Sequence, residues 1–215
     1  MPRPLAIICV TAAFALPLAA RADRSPSYTG PQSAAETKFV RSIQADLMKR
    51  FSRAADAEKA GYVRYTGEDE TGAISYADQH WQSTDSRHPS QLWYDTKGNL
   101  LGADFSVLKT TNARPRRWGI NPGRWYEFDG HIHYVARDPR SGKLTYDKYV
   151  MEPTFAAAGG NVHHPSARTL VNMHRVVRTN DVATIFDFPT IWDLIVWVKP
   201  NPHGAFAEKN PLVKR

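Results

Sequence analysis

Residues 182–204, VATIFDFPTIWDLIVWVKPNPHG, form the most apolar run of the chain outside its N-terminal leader. Trp192, Leu194, Val196 and Val198 would line one face of a strand, with Ile191, Ile195 and Trp197 on the other. A strand apolar on both faces belongs at the centre of a sheet or beneath a second layer. β-Branched and aromatic residues dominate between Pro189 and Pro200, which favours strand over helix. Residues 182–188 predict a second strand, whose ladder Pro189 limits. The two read as consecutive strands at the heart of one sheet. Asp187 and Asp193 break the apolar pattern. Each fits a strand end or a turn; the sharper alternative is a carboxylate facing a pocket.

Upstream, Ser33 and Glu36 match the S-x-x-E capping box, in which a hydroxyl and a carboxylate satisfy the free amides of a helix start. Phe39, Ile43, Leu47 and Phe51 then recur at every fourth residue, with Lys38, Arg41, Lys49 and Arg50 on the other side. The spacing predicts an amphipathic helix to about residue 60, closed by Gly61 and roughly 40 Å long. Strand-like pieces follow over 74–81, 91–95, 101–107 and 143–151, with a turn at 96–99. Residues 151–162, with AAAGG, read as a small-residue loop. A second helix is predicted from Pro165 to about residue 178, with Leu170, Val171, His174 and Val177 as its stripe. The implied fold class is α+β: a single domain over 33–215, with a long N-terminal helix packed on a curved, mainly antiparallel sheet and a second helix before the last strands.

The first 22 residues have the layout of a secretory signal peptide. Arg3 supplies the positive start, residues 5–18 the apolar region, and Ala20-Arg21-Ala22 an A-x-A-like cleavage site. The apolar stretch is short for a membrane span, which needs about 20 residues. An exported protein, periplasmic or extracellular, is therefore expected, with no transmembrane segment in the mature chain. Cleavage would remove Cys9, the only cysteine, and with it disulfides, thiol nucleophiles and thiolate metal sites. Residues 23–32, DRSPSYTGPQ, read as a flexible start. Losing Arg3 and Arg21 lowers the formal charge of +7 by two. The bases are interspersed with acids, so nucleic acid is not the expected partner.

Asp129-Gly130 between RWYEF and HIHYV is a two-residue hairpin signal. In that register Phe128 opposes His131 and Tyr126 opposes His133, and all four side chains share one face. They are the candidate ligand-binding set. His131-x-His133 also projects two imidazoles from one face of a strand, an arrangement that suits a divalent metal such as zinc, with His163 as a third ligand. His164, His80 and Asp147 are other third ligands that this pattern admits.

No G-x-S-x-G, H-E-x-x-H, P-loop or dinucleotide-binding glycine pattern occurs, so no motif assigns a reaction. The expected function is a small exported, non-catalytic domain that binds a small ligand or a cell-envelope protein. The alternative is a metal-dependent enzyme centred on His131 and His133.

Overall fold

The computed structural model describes residues 25–78, 80 and 85–213. The expected leader with its Cys9, and Trp81, lie outside the described residues. The fold is α+β, with four helices and two antiparallel sheets among the described residues. Among the described residues no helix is long and apolar enough to cross a membrane.

Helix α1 (Ala34–Arg50) starts at the expected box. Ser33 Oγ accepts from Glu36 N at 3.1 Å, and Ser33 N donates to Glu36 Oε2 at 2.8 Å. It buries Glu36, Val40, Ile43 and Leu47 at helical spacing. The predicted single helix to residue 60 is in fact two, because the chain breaks at 51–53 before α2 (Ala54–Lys59). The turn at 95–99 draws that segment off the helix path. Ala54 N donates to Gly98 O at 3.0 Å and Leu100 N to Ser52 O at 3.2 Å, so these backbone groups serve a sheet edge instead of continuing the spiral. Gly61, at φ 96°, ends α2 as expected of a glycine cap.

The six-stranded sheet runs β1 (Val63–Arg64), β2 (Ile74–Ala77), β3 (Gln91–Tyr94), β4 (Leu100–Leu108), β9 (Ile191–Trp197), β5 (Tyr126–Phe128). The three-stranded sheet runs β7 (Leu144–Met151), β6 (His131–Arg137), β8 (Val182–Phe188). α1 covers the first sheet, packing Val40, Ile43 and Leu47 on Leu92, Phe105, Leu194 and Val196. Two short helices cover the outer face of the second. Phe155 of α3 (Glu152–Ala157) and Leu170 of α4 (Ala167–Asn172) join Ile132, Tyr134 and Val150 there.

α3 occupies the stretch expected to be a loop. Pro153 suits its first turn, Thr-Phe-Ala-Ala propagates it, and Phe155 anchors it at 0% exposure. α4 is shorter than predicted: His174 turns left-handed at φ 56° just after it, and Val177 is 75% exposed, so neither forms a stripe.

The expected single curved sheet is replaced by two sheets, and the Asp129-Gly130 hairpin does not form. β5 pairs with β9, and β6 pairs with β8. One register runs through both pairings, from Phe128 opposite Ile191 to His131 opposite Phe188. The two chain segments thus make one long antiparallel ribbon that passes from sheet to sheet at 129–130 and 189–190. Pro189 cannot donate to a ladder, and Gly130 N instead donates to Thr190 Oγ1 at 3.0 Å, which fixes the crossing. β8 and β9 are consecutive as expected, yet they serve different sheets.

The opposite margins of the sheets are also joined. Asp147 N donates to Tyr65 O at 3.3 Å, and Gly67 N donates to Asp147 Oδ2 at 2.9 Å. The chain start from residue 25, expected to be flexible, is held in place. Tyr28 N donates to Gly123 O at 3.1 Å, and Arg124 Nη2 donates to Gly30 O at 2.7 Å and Pro31 O at 3.0 Å. In the C-terminal tail Phe206 and Val213 are buried, whereas Leu212 is exposed.

Candidate functional site

Side chains alternate across a strand, so the six-stranded sheet has two chemically distinct faces. Leu92, Ala103, Phe105, Leu194 and Val196 meet α1. The opposite, inner face carries Gln91 and Trp93 of β3, Gly102, Asp104 and Ser106 of β4, and Asp193, Ile195 and Trp197 of β9. The inner face of the second sheet contributes His133, Tyr149 and Phe188. Between them lies a cleft of about 660 Å³, within the size range of small-molecule sites.

Asp104 and Asp193 form the polar floor at 4% and 1% exposure. Asp104 opposes Ile195 and Ser106 opposes Asp193, so the two acids are diagonal neighbours on one face, with Cα atoms roughly 7–8 Å apart. The Ser106 hydroxyl donates to Asp193 Oδ1 at 2.7 Å. Ser90 Oγ lies 2.5 Å from Ser106 Oγ and accepts from Ser106 N at 3.0 Å. With the Ser106 hydroxyl hydrogen directed at Asp193, Ser90 is the donor in the serine pair or to the Asp104 carbonyl at 3.1 Å. This chain of hydroxyls orients one oxygen of Asp193 and leaves the carboxylate on the cleft side of β9. Tyr65 reaches over from the end of β1, its hydroxyl donating to Gln91 Oε1.

Charge distinguishes this cleft from the rest of the protein. Asp69, Glu70, Asp104, Asp147, Asp193 and Glu208 line it, against Lys209 and His133. The chain as a whole has 28 Lys and Arg to 21 Asp and Glu, so the acid excess is a local property. Lys209 offsets Glu70 at 3.2 Å at the exposed rim, while Asp69 accepts from Thr71 N and Ala73 N. Aromatic rings make up much of the remaining wall: Tyr65, Trp93, Phe128, Tyr149, Phe188 and Trp197.

The four residues expected to bind a ligand do face inward, although the hairpin that suggested this is absent. The side-chain alternation shifts in step at 129–130 and 189–190, which returns both Phe128 and His131 to the inner side. Phe128 and His133 line the cleft. His131 lies behind, stacked on Phe188 at 4.6 Å and 16°. Tyr126 belongs to a second recess of about 640 Å³ beside the 25–32 segment. The one buried cation of that recess, Arg124, is taken up by Glu36, Gly30 and Pro31. Burial pushes Glu36 upward, but Arg124 and the amides of Ser33 and Asn121 outweigh it and hold the carboxyl below its usual range.

His131 Nδ1 lies 2.7 Å from Asp129 O, and because a carbonyl only accepts, this nitrogen carries a proton. The two Nε2 atoms of His131 and His133 are 3.0 Å apart and share one hydrogen bond. His163, the expected third metal ligand, lies across the sheet on its outer face. It is 78% exposed on its side chain and pairs with Asp187 at 3.4 Å. His80 and His164 are also exposed and belong to other surfaces, whereas Asp147 lines the cleft. Among the described residues no group of three or more His, Cys, Asp or Glu side chains could hold a metal ion.

Sequence reasoning missed Asp104, Ser106 and Gln91. The signal was present in 100–108, LLGADFSVL, where the polar residues Asp104 and Ser106 share a strand phase behind an apolar one. Asp193 meets the sharper of its two readings: it sits mid-strand and faces the cleft. In comparison with known protein families, curated proteins and solved structures, this chain matches none.

Proposed function

We propose that this protein is a non-catalytic binding domain that takes a small organic cation into the cleft between its sheets. The observation that carries the reading is the acid excess of that cleft in an otherwise basic chain, with Asp104 and Asp193 side by side on its floor. A cation held between these two side chains would have a carboxyl group on either side. The aromatic wall selects among cations. Ring faces attract ammonium groups through their quadrupole and offer little to a strongly hydrated metal ion. The leader over 1–22 supports export, so the ligand would be met in the periplasm or outside the cell. A metal-dependent enzyme has less behind it, since the Nε2 atoms of His131 and His133 are turned on each other and His163 lies on the far face.

Calorimetry with choline and with its uncharged carbon isostere tests the charge requirement directly. Choline should bind at least about 10-fold more tightly than the isostere, and Asp193→Asn should erase the difference. Equal binding of the two, or binding of neither, would overturn the proposal.

A further inference from the structure

The inner face of the six-stranded sheet is graded along its strands, and the gradient gives the cationic ligand a shape. Trp93, Gly102 and Trp197 stand in one row across β3, β4 and β9. One step further along the strands, on the same face, stands Asp104, and one step beyond it the Ser106–Asp193 pair. Each step covers two residues, about 7 Å. The Trp93 ring lies close against Gly102: a Cβ added there would stand 2.9 Å from Cε3 and 3.1 Å from Cζ3. Glycine at that position therefore lets the indole settle on the sheet, where it meets the Trp197 ring at 5.3 Å and 58°. Trp197 is fixed in turn by its Nε1, which donates to Ala207 O at 2.6 Å in the tail that brings Lys209 to the cleft rim. Trp93 remains half-buried, so it presents a ring to the cleft.

We infer that the ligand is an elongated amphiphile, with an ammonium head at Asp104, on the side towards Asp193, and a flat aromatic or apolar tail on the Trp93–Trp197 pair about 7 Å from Asp104. This rests on the cation-binding reading above and adds the tail to it. Offset stacking of a planar group on the indoles removes apolar surface from water at one end, while the carboxylates hold the charge at the other. Arylalkylamines are the chemical class that meets both ends at this spacing.

Calorimetry of the full mature chain with tryptamine, phenethylamine and ethylamine tests the idea. Tryptamine should bind about 100-fold more tightly than ethylamine, with phenethylamine between them. Trp93→Leu keeps most of the buried bulk; it should remove most of that gain while lowering ethylamine affinity far less, and Trp93→Ala should do the same if it folds. Asp193→Asn should weaken all three amines. If tryptamine and ethylamine bind equally and both depend on Asp193, the tail site is wrong and the cation site stands. If no amine binding depends on Asp193, both readings fall. If Trp93→Leu binds tryptamine as the unaltered protein does, the tryptophan row is not where the tail lies.

Discussion

The two faces of the six-stranded sheet are equally buried and chemically opposite. Towards α1, Phe105 and Leu194 are 0% exposed and belong to one apolar core. One residue along on the same strands, Ser106 and Asp193 are 0% and 1% exposed and are joined by a hydrogen bond. The first face is what a helix packed on a sheet requires. Nothing in that requirement explains the second, because burying polar and charged groups costs free energy that hydrogen bonds only partly return. A protein that needed the inner face for stability alone would do better with hydrocarbon there. Depth of burial therefore does not separate scaffold from site in this molecule; the chemistry of what is buried does.

The largest effect that would test this contrast is on the helix side. Phe105→Ala should lower unfolding free energy by about 3–5 kcal/mol, read by urea titration, since the ring fills a closed core between α1 and the sheet. Choline affinity of the protein that remains folded should not change. On the inner face the pattern should invert. Asp193→Asn keeps the side-chain shape and can still accept from Ser106, so the melting temperature should hold or rise while cation affinity falls. If Asp193→Asn destabilised the fold as severely as Phe105→Ala, the inner face would be part of the scaffold and the contrast would collapse.

How far the sequence revealed these faces follows the same division. The helix-facing side was legible because hydrophobic periodicity reports it: Val40, Ile43 and Leu47 on α1, Leu194 and Val196 on β9. The capping box at Ser33 was legible because its chemistry is local. The path of the ribbon was not. Asp129-Gly130 satisfies every local condition for a tight hairpin, and only the presence of β9 and β8 as partners draws β5 and β6 apart into a single run. Such pairing is decided by segments some 60 residues away and leaves no short-range mark, as Gly130 with Thr190 illustrates. The cleft was half legible. His133 and Phe128 were placed on one face by a hairpin register that does not form, whereas Asp104 and Asp193 come together only through the register of β4 on β9. The broken helix has the same origin, for the backbone at Ser52 and Ala54 is claimed by a turn that lies far along the chain.

The smallest expected effect comes from a second pair of acids, placed on the outer side of the three-stranded sheet, and it sharpens the distinction between carboxylates retained for a ligand and carboxylates merely tolerated. Glu152 is held above its ordinary range by burial first and by the neighbouring Asp187 second. Asp187 is also raised, by burial, with His163 pulling the other way. A carboxyl raised in the folded state binds its proton more tightly there than in the unfolded chain, so its contribution to stability is full below the unfolded value and is lost as pH rises through the folded one. Once pH has risen through both folded values, the protein carries two crowded charges that it would hold more easily neutral. Glu152→Gln imitates the protonated form. It should raise the melting temperature by about 2 °C near pH 7.5 and leave it unchanged near pH 3.5, where both proteins are uncharged at this position. Choline affinity should be the same in both, because Glu152 stands on the face of the sheet away from the cleft, its backbone N–H bonded to Gly130 O at 3.1 Å. A stabilising, pH-dependent change here, beside an Asp193→Asn change that is felt in binding, would separate the two acid pairs by what each one does.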